Sequence, residues 1–271
     1  MISFSSTFRD YTDLQLFIQN CFGFVIISLL ASVIYIINDI NDAEKDRMHE
    51  EKKNRPIAAG IISVKEASVL IVILLLCIIA LQNYVGGGKS WYWLAVYFVL
   101  NLLYSLKLKN VALLDVVILV SGFLIRLLYG SAVTGISISF WMCMTVIAAS
   151  FYLGFGKRRN ELLKNEEDAE KIRKVLKYYN KEFLDKNMYM CMSMAIIFYA
   201  MWSGAETTIQ RTGSGYQMWT VPLVIVIAMK YSLNIEKEEY ADPVEVILND
   251  KILMLLGFAY AVCMFIILYV I

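Results

Sequence analysis

The stretch Asn38-Asp39-Ile40-Asn41-Asp42-Ala43-Glu44-Lys45-Asp46 follows a long apolar run, 18–37, and decides how the chain is interpreted. On a helix, Asp39, Asp42 and Asp46 fall at positions i, i+3 and i+7, so their carboxylates project from one face. Carboxylates this close repel one another unless a cation lies among them. Oxygen ligands suit Mg²⁺, which often shares its coordination with substrate phosphates. The spacing therefore predicts a magnesium site at these three residues; the alternative is a solvated loop with charges of both signs.

Polar residues around this acidic stretch predict a substrate that carries phosphate. Asn38 shares the helical face through Asp42 and Asp46, at i+4 and i+8, and offers a neutral oxygen. Lys52 and Arg55 follow a few residues downstream, and both side-chain types bind phosphate oxygens. We therefore expect Asn38, Lys52 and Arg55 to bind substrate.

The composition predicts a membrane protein built from helices. Of 271 residues, 59% are hydrophobic, which is above the share found in soluble domains. The mean hydropathy is +0.60. The apolar residues form eight segments of a length that spans a bilayer as helix: 18–37, 64–82, 91–106, 113–133, 139–155, 188–204, 218–235 and 252–271. We expect one all-α polytopic helical bundle over residues 1–271, in the bilayer of the cell membrane. The net charge of +1 says nothing about partners by itself, and we expect no nucleic-acid partner for a membrane bundle of this kind.

The distribution of basic residues predicts the orientation of the bundle. Four loops, together with Lys65 and Lys230, hold 21 of the 25 lysine and arginine residues. Loops rich in these residues face the cytoplasm. We expect both termini outside and the site on the cytoplasmic side, where the four basic loops lie: 38–63, 107–112, 156–187 and 236–251.

Cysteine and histidine usage argues against several classes of site. The five cysteines all lie in apolar runs without CxxC spacing, so they are expected to be core thiols. His49 is the only histidine, which makes a histidine-ligated metal or a His-based triad improbable.

Arg126 is the most unusual single residue, because it lies in the middle of an apolar segment. A charge there costs about 2.5–3.5 kcal/mol on insertion scales, so the side chain should face a polar cavity. We interpret it as a catalytic residue that binds a phosphate. The alternative is an ion pair with Asp115, eleven residues earlier on roughly the same helical face.

Two further features lie in the predicted cytoplasmic loops. Lys157, Arg158 and Arg159 end an apolar segment, and at least one of them is expected to be a simple membrane anchor. Glu161 is either a metal or ribose ligand or the i+4 partner of Lys157. Residues 166–186 are predicted as one polar helix with an apolar stripe formed by Ile172, Val175, Leu176, Tyr179 and Phe183.

These residues resemble the UbiA superfamily of intramembrane transferases, since 38–46 matches its NDxxDxxxD motif in full. The combination with 55–60, 104–109, 121–126 and 156–158 is similar to the decaprenyl-phosphate phosphoribosyltransferase branch. The resemblance implies transfer of 5-phosphoribose from phosphoribosyl pyrophosphate (PRPP) to a polyprenyl phosphate, with release of pyrophosphate. It implies Mg²⁺ between the acidic motif and the pyrophosphate, a homo-oligomer as an option, and a substrate role for the following residues: Tyr104, Lys107, Lys157, Arg158 and Glu161.

Two departures from the superfamily pattern keep alternatives open. The basic sequence Lys157-Arg158 stands where aromatic prenyltransferases carry a second Asp-rich motif, which favours PRPP over a prenyl diphosphate. Eight segments are expected instead of the usual nine: the first span is missing, and its basic entry motif is not found before Phe4. The alternatives are a prenyltransferase that uses a prenyl diphosphate and an aromatic acceptor, and an inactive membrane scaffold.

Overall fold

The computed structural model describes residues 14–48, 52–85, 87–106, 108–163, 174–236 and 243–269. All the regular secondary structure within these ranges is helical. The α-helices are α1 (Leu14–Asp46), α2 (Val64–Val85), α3 (Gly88–Leu106), α4 (Leu114–Thr134), α5 (Phe140–Leu163), α6 (Lys181–Gly204), α7 (Glu206–Thr212), α8 (Val221–Glu236), α9 (Pro243–Asn249) and α10 (Lys251–Tyr269). Short 3₁₀ turns cover Lys52–Asn54, Leu108–Asn110, Lys174–Tyr178 and Tyr216–Thr220.

The eight apolar segments correspond to eight long helices, and the prediction of an all-α membrane bundle is confirmed. By length and composition, six helical stretches of the described chain can cross a bilayer. The count becomes seven if α6 and α7, bent by 58° at their junction, form one span. The remaining long helix, α3, is not among these spans.

The residues divide into two compact units, which are described separately. The first contains described residues of 14–106 and 125–135, and its core joins α1, α2 and α3 to the C-terminal half of α4. Its residues Ile26, Val33 and Tyr129 are almost fully buried. The second contains described residues of 108–124 and 136–269. The expectation of one domain over 1–271 stays a prediction.

Local sequence explains where α2 begins. Ser63 and Glu66 form a capping box before α2: the Glu66 carboxylate accepts from the Ser63 backbone N–H at 2.8 Å, and the Ser63 hydroxyl accepts from the Glu66 N–H at 3.3 Å.

In the second unit, α5 approaches α4 closely at Gly154. A Cβ at Gly154 would lie 2.8 Å from a Val116 methyl, so only glycine permits this packing.

The predicted helix over 166–186 is wrong in its described part. Residues 164–173 lie outside the described ranges. Beyond them, Lys174–Tyr178 form a 3₁₀ turn, and α6 begins only at Lys181. Asn180 separates the two because its backbone is extended (φ −124°, ψ 161°) and its side chain caps α6 by accepting from the Phe183 N–H at 2.7 Å. Val175 and Leu176 of the apolar stripe are fully buried in the core of the second unit.

Candidate functional site

The acidic stretch is helical throughout, because α1 continues past the apolar run to Asp46. Asp39 and Asp46 therefore lie on one face, as predicted, and both accept from Nη1 of Arg55, at 2.9 and 3.0 Å. The Asp46 side chain is buried (7% exposed), whereas that of Arg55 is 42% exposed. One guanidinium nitrogen thus joins two of the three predicted metal ligands.

The turn after α1 brings Arg55 back to this face. The Arg55 N–H donates to the Lys52 carbonyl at 3.0 Å, and the Ala59 N–H donates to the Arg55 carbonyl at 2.8 Å. The Arg47 side chain donates from Nε to the Ala58 carbonyl at 3.1 Å, which ties the end of α1 to this turn. Ile57 packs in a small apolar cluster with Ala43 of α1 and Ala67 of α2. Backbone bonds and packing together hold Arg55 close to the carboxylates.

Asn38 presents an unsatisfied acceptor to the same region. Its Oδ1 atom is buried and accepts no hydrogen bond from the residues that the structure describes, which is a costly state for a polar atom. Asp42 lies on the next turn and is half-buried. The described part of the chain contains no group of three or more His, Cys, Asp or Glu side chains close enough to hold a metal ion. The three carboxylates are thus not gathered around one point, and Arg55 bridges two of them.

Lys52 and Tyr104 are two further predicted substrate residues, and both lie in the first unit. Lys52 is half-buried in the 3₁₀ turn Lys52–Asn54, and Tyr104 is half-buried in the last turn of α3. Lys107 lies outside the described residues.

Arg126 faces Tyr97 of α3, so an aromatic ring solvates part of its charge. Nη2 of Arg126 donates to the Tyr97 hydroxyl at 2.6 Å, and the guanidinium carbon lies 5.1 Å from the ring centroid. The same arginine lines a small cavity of about 20 Å³, with room for one water molecule. Its other lining residues come from α1 and α4: Asn20, Gly23, Phe24, Ile27, Tyr129, Gly130 and Val133. Most of this lining is apolar or glycine, so the expectation of a polar cavity stays a prediction.

The alternative ion pair between Arg126 and Asp115 is wrong. Both residues lie on α4, and eleven residues of helix separate them by about 16 Å along the axis, beyond the reach of the side chains. Asp115 instead pairs with Arg158 of the second unit, to which this end of α4 belongs.

In the second unit, Arg158 is the centre of a buried ion-pair network. Nε of Arg158 donates to Asp115 Oδ2 at 2.5 Å, and Nη1 donates to Glu161 Oε2 at 2.5 Å. Arg158 and Asp115 are both completely buried. Glu161 is therefore the i+3 partner of Arg158, and its interpretation as the i+4 partner of Lys157 is wrong. Lys157 itself is half-buried.

Arg159 is the residue that sequence reasoning most clearly underestimated. It is completely buried, and its guanidinium pairs with Asp185 at 2.5 Å and with Glu236 at 3.0 Å. Neither the expected anchor role nor local spacing points to this arrangement, because the partners lie 26 and 77 residues away in the chain. Arg159 joins α5, α6 and α8 inside the second unit.

Tyr179 is a second site-proximal residue that the sequence did not mark. Its hydroxyl donates to Asp115 Oδ1 at 2.6 Å and accepts from the Leu113 N–H at 2.7 Å. Burial, and then the hydrogen bond to the Asp115 carboxylate, raise the pKa of Tyr179 above its ordinary value, so the hydroxyl stays protonated at neutral pH.

Comparison with known proteins places this fold in a family. The model of the UbiA prenyltransferase family matches residues 2–249. The chain belongs to the UbiA prenyltransferase family. This UbiA family member is accordingly a multi-pass membrane protein and a transferase.

Curated relatives of this UbiA family member include several named decaprenyl-phosphate phosphoribosyltransferase. That of Corynebacterium glutamicum is 33% identical over 257 residues, which cover 94% of this chain and 75% of the relative. That of Mycolicibacterium smegmatis is 31% identical over 258 residues, 93% of this chain and 80% of the relative. The predicted resemblance to this branch is confirmed.

Solved structures show the same fold. The UbiA homologue from Archaeoglobus fulgidus bound to GPP and Mg²⁺ aligns with a TM-score of 0.69 at 17% identity, covering 96% of this chain and 88% of that chain. The same homologue bound to DMAPP and Mg²⁺ aligns with a TM-score of 0.69 at 15% identity, over 99% and 92% of the two chains.

Proposed function

We propose that this UbiA family member transfers 5-phosphoribose from PRPP to a polyprenyl phosphate and releases pyrophosphate, at the cytoplasmic face of the membrane. The observation that carries the proposal is the identity of 33% over 94% of the chain with a relative named for this kind of transfer. The basic end of α5 supports it, since Lys157 and Arg158 suit a donor with an additional phosphate.

The oxygen donors at the end of α1 are of the kind that binds a divalent cation, although Arg55 bridges two of the three carboxylates in the structure. Carboxylate and amide oxygens are the ligands that Mg²⁺ prefers, and the buried Oδ1 of Asn38 is an acceptor that a cation would satisfy. Asp39, Asp42 and Asp46 would hold Mg²⁺, with Asn38 as a neutral ligand or as the group that orients a carboxylate. When bound, Mg²⁺ neutralises charge on the leaving pyrophosphate.

The reaction breaks one bond and forms one bond at C1 of the ribose. The C1–O bond to pyrophosphate breaks, and its electron pair leaves with the pyrophosphate oxygen. An oxygen of the polyprenyl phosphate then bonds to C1 from the opposite face. The acceptor is already an anion, so the reaction needs no strong general base. Water must be kept away, because it would otherwise take the ribose.

The basic residues have separate roles in this scheme. Arg55 and Lys52 bind pyrophosphate oxygens, where their fixed charges stabilise the developing negative charge. Since Arg55 already bridges Asp39 and Asp46, it couples phosphate binding to the position of the carboxylates. In the first unit, Arg126 binds the acceptor phosphate. In the second unit, Lys157, Arg158 and Glu161 are the proposed donor-binding residues.

A direct assay tests this proposal. Purified protein in lipid or detergent is incubated with PRPP, Mg²⁺ and a C50 polyprenyl phosphate, and both pyrophosphate and the lipid product are followed, the latter by mass. We expect pyrophosphate release that requires all three components. Product formed only from a prenyl diphosphate and an aromatic acceptor would overturn the proposal in favour of prenyl transfer. No product from either donor, with the protein folded, would favour the inactive scaffold.

Asp42→Ala tests the metal assignment within the same assay. We expect this variant to lose at least about a hundredfold in turnover, because a metal ligand cannot be replaced by a methyl group. Glu44→Ala is the matched control, since Glu44 is exposed on the same helix two residues away. Magnesium-dependent turnover of wild-type size in Asp42→Ala would contradict the assignment.

A further inference from the structure

Tyr179 occupies a junction that the proposed mechanism does not yet use. It follows the 3₁₀ turn Lys174–Tyr178, and only 6% of its surface is exposed. Its hydroxyl contacts two points at the start of α4, the backbone N–H of Leu113 and the carboxylate of Asp115. This hydroxyl therefore adds two hydrogen bonds to the apolar packing of Val175 and Leu176 in the core that contains Val116 of α4.

The backbone at Leu113 is strained. Its φ is +67°, and among the described residues it is the one non-glycine residue with a positive φ. A side chain disfavours this conformation, because Cβ crowds the following carbonyl. The Leu113 side chain is half exposed, so packing does not fix it. The hydrogen bond to Tyr179 supports the strained conformation, in which the Leu113 carbonyl accepts from the Val117 N–H at 2.8 Å and starts α4.

The second contact of Tyr179 leads to the basic end of α5. Asp115 divides its two oxygens between Tyr179 and Arg158, so the tyrosine fixes the rotation of the carboxylate and the carboxylate fixes the guanidinium. Asp115 and Arg158 are both fully buried, which strengthens these charge-assisted bonds. Lys157 precedes Arg158 on α5 and is half-buried, so the ion pair that anchors Arg158 also anchors the end of the helix that carries Lys157.

We propose that Tyr179 is a positioning residue for donor binding: its hydroxyl holds Leu113 and Asp115 and, through Asp115 and Arg158, holds the end of α5 that presents Lys157 to the phosphates of PRPP. The inference rests on the proposed function, because it takes Lys157 as a donor-binding residue. Tyr179 does not touch the reacting atoms. Its loss should therefore weaken donor binding and leave the chemical step intact.

Tyr179→Phe removes the hydroxyl and keeps the ring. We expect the KM for PRPP to rise about tenfold, the size of effect that the loss of one hydrogen bond to a charged group produces. The kcat and the KM for the polyprenyl phosphate should stay within about twofold of wild type. Tyr178→Phe is the matched control, because the adjacent Tyr178 is 63% exposed, and it should behave as wild type.

Leu113→Gly provides a second, independent measurement. Glycine adopts a positive φ without crowding, so it needs less support from Tyr179. In the double variant Tyr179→Phe, Leu113→Gly, we expect the KM for PRPP to fall only part of the way back toward wild type, because glycine relieves Leu113 but does not restore the hydrogen bond to Asp115. A full return to the wild-type KM would overturn the route through Asp115. Non-additivity of this kind measures the coupling between the two positions.

The outcomes separate the inference from the function on which it rests. Absence of ribosyl lipid with the wild-type protein would overturn the proposed function and this inference with it. Wild-type activity together with an unchanged KM for PRPP in Tyr179→Phe would overturn the inference alone. If Tyr179→Phe lowers kcat and raises both KM values to the same extent, in step with a lower thermal midpoint, Tyr179 is a purely structural residue. That result would also overturn the inference.

Discussion

At the scale of single residues, buried charge distinguishes Arg55 of the first unit from Arg158 of the second. Arg55 is partly exposed and shared between Asp39 and Asp46, so a phosphate can reach its remaining donors. Arg158 is completely buried between Asp115 and Glu161, so much of its hydrogen-bonding capacity is already used. Of the residues proposed to bind the donor, Arg55 is the more direct ligand, while Arg158 depends on its surroundings.

Two buried glutamines give a prediction about stability. Gln217 and Gln82 are both completely buried. Both side-chain amide atoms of Gln217 lack a hydrogen-bond partner among the described residues, whereas Gln82 donates to Ser90 at 2.6 Å and accepts from Tyr129 at 2.7 Å. We expect Gln217→Leu to stabilise the protein by about 1–3 kcal/mol, since it removes an unsatisfied polar group.

Gln82→Leu is the matched control for this prediction. It removes the acceptor of the Tyr129 hydroxyl and the donor to Ser90, so it should destabilise the protein by a similar amount. Apparent unfolding midpoints in detergent measure both variants. A lower midpoint for Gln217→Leu would contradict the prediction and would indicate that ordered water satisfies this amide.

At the scale of elements, the helix ends carry much of the organisation. The acidic motif lies in the last turns of α1, and the basic triplet Lys157-Arg158-Arg159 lies near the end of α5. The sequence revealed these elements because apolar runs and i, i+3, i+7 spacing are local signals. It failed at Asn180, where one cap separates a 3₁₀ turn from α6, because an apolar stripe at helical spacing continues across it.

The start of α10 gives a prediction about pH. Asp250 accepts from the Leu253 N–H at 2.8 Å and pairs with Lys230 at 2.6 Å, and these two contacts, the lysine first, lower its pKa to about 2. A depressed pKa in the folded state contributes stability above the unfolded value, near 3.8, that is lost as pH falls through about 2.

Asp250→Asn tests this contribution. The variant should unfold at a lower temperature than wild type at pH 6, because it loses the ion pair with Lys230. The difference between the two midpoints should shrink when both are measured at pH 2.5. Asn249 is the neighbouring residue and is exposed, so Asn249→Asp is the control for a change in net charge that involves no ion pair with Lys230. A midpoint difference that does not change with pH would contradict the assignment.

At the scale of the whole molecule, contacts between distant residues could not be predicted from one sequence. The acidic face and Arg55 lie within 17 residues of one another, so spacing and charge sufficed to group them. The Asp115–Arg158, Asp115–Tyr179 and Arg159–Glu236 contacts join residues 43, 64 and 77 positions apart. Hydrophobic periodicity carries no information about such pairs, so it marks Arg159 only as one of three basic residues at a helix end and Tyr179 only as part of an apolar stripe.

The proposed orientation in the membrane gives the last prediction. Lys53→Cys and Gln210→Cys each add one cysteine at an exposed position. Lys53 lies in the basic loop 38–63, whereas Gln210 lies in α7, a connection with little positive charge. By the positive-inside rule, Lys53→Cys should react with an impermeant maleimide only after the membrane is opened. Gln210→Cys should react in intact cells, and the wild type corrects for the five native cysteines. The reverse pattern would overturn the cytoplasmic placement of the site.

The ion pairs of Arg159 also set an order of events during biogenesis. The ribosome makes Arg159 first, Asp185 after 26 further residues, and Glu236 only after 77. At a synthesis rate of about 5–20 residues per second, the last partner appears about 4–15 s after the arginine. Until then, a newly inserted α5 carries a cation whose final surroundings do not exist. The second unit thus cannot complete its folding before α8 has been made. A chain released earlier would expose the Arg159 guanidinium, which still lacks Glu236, to quality control.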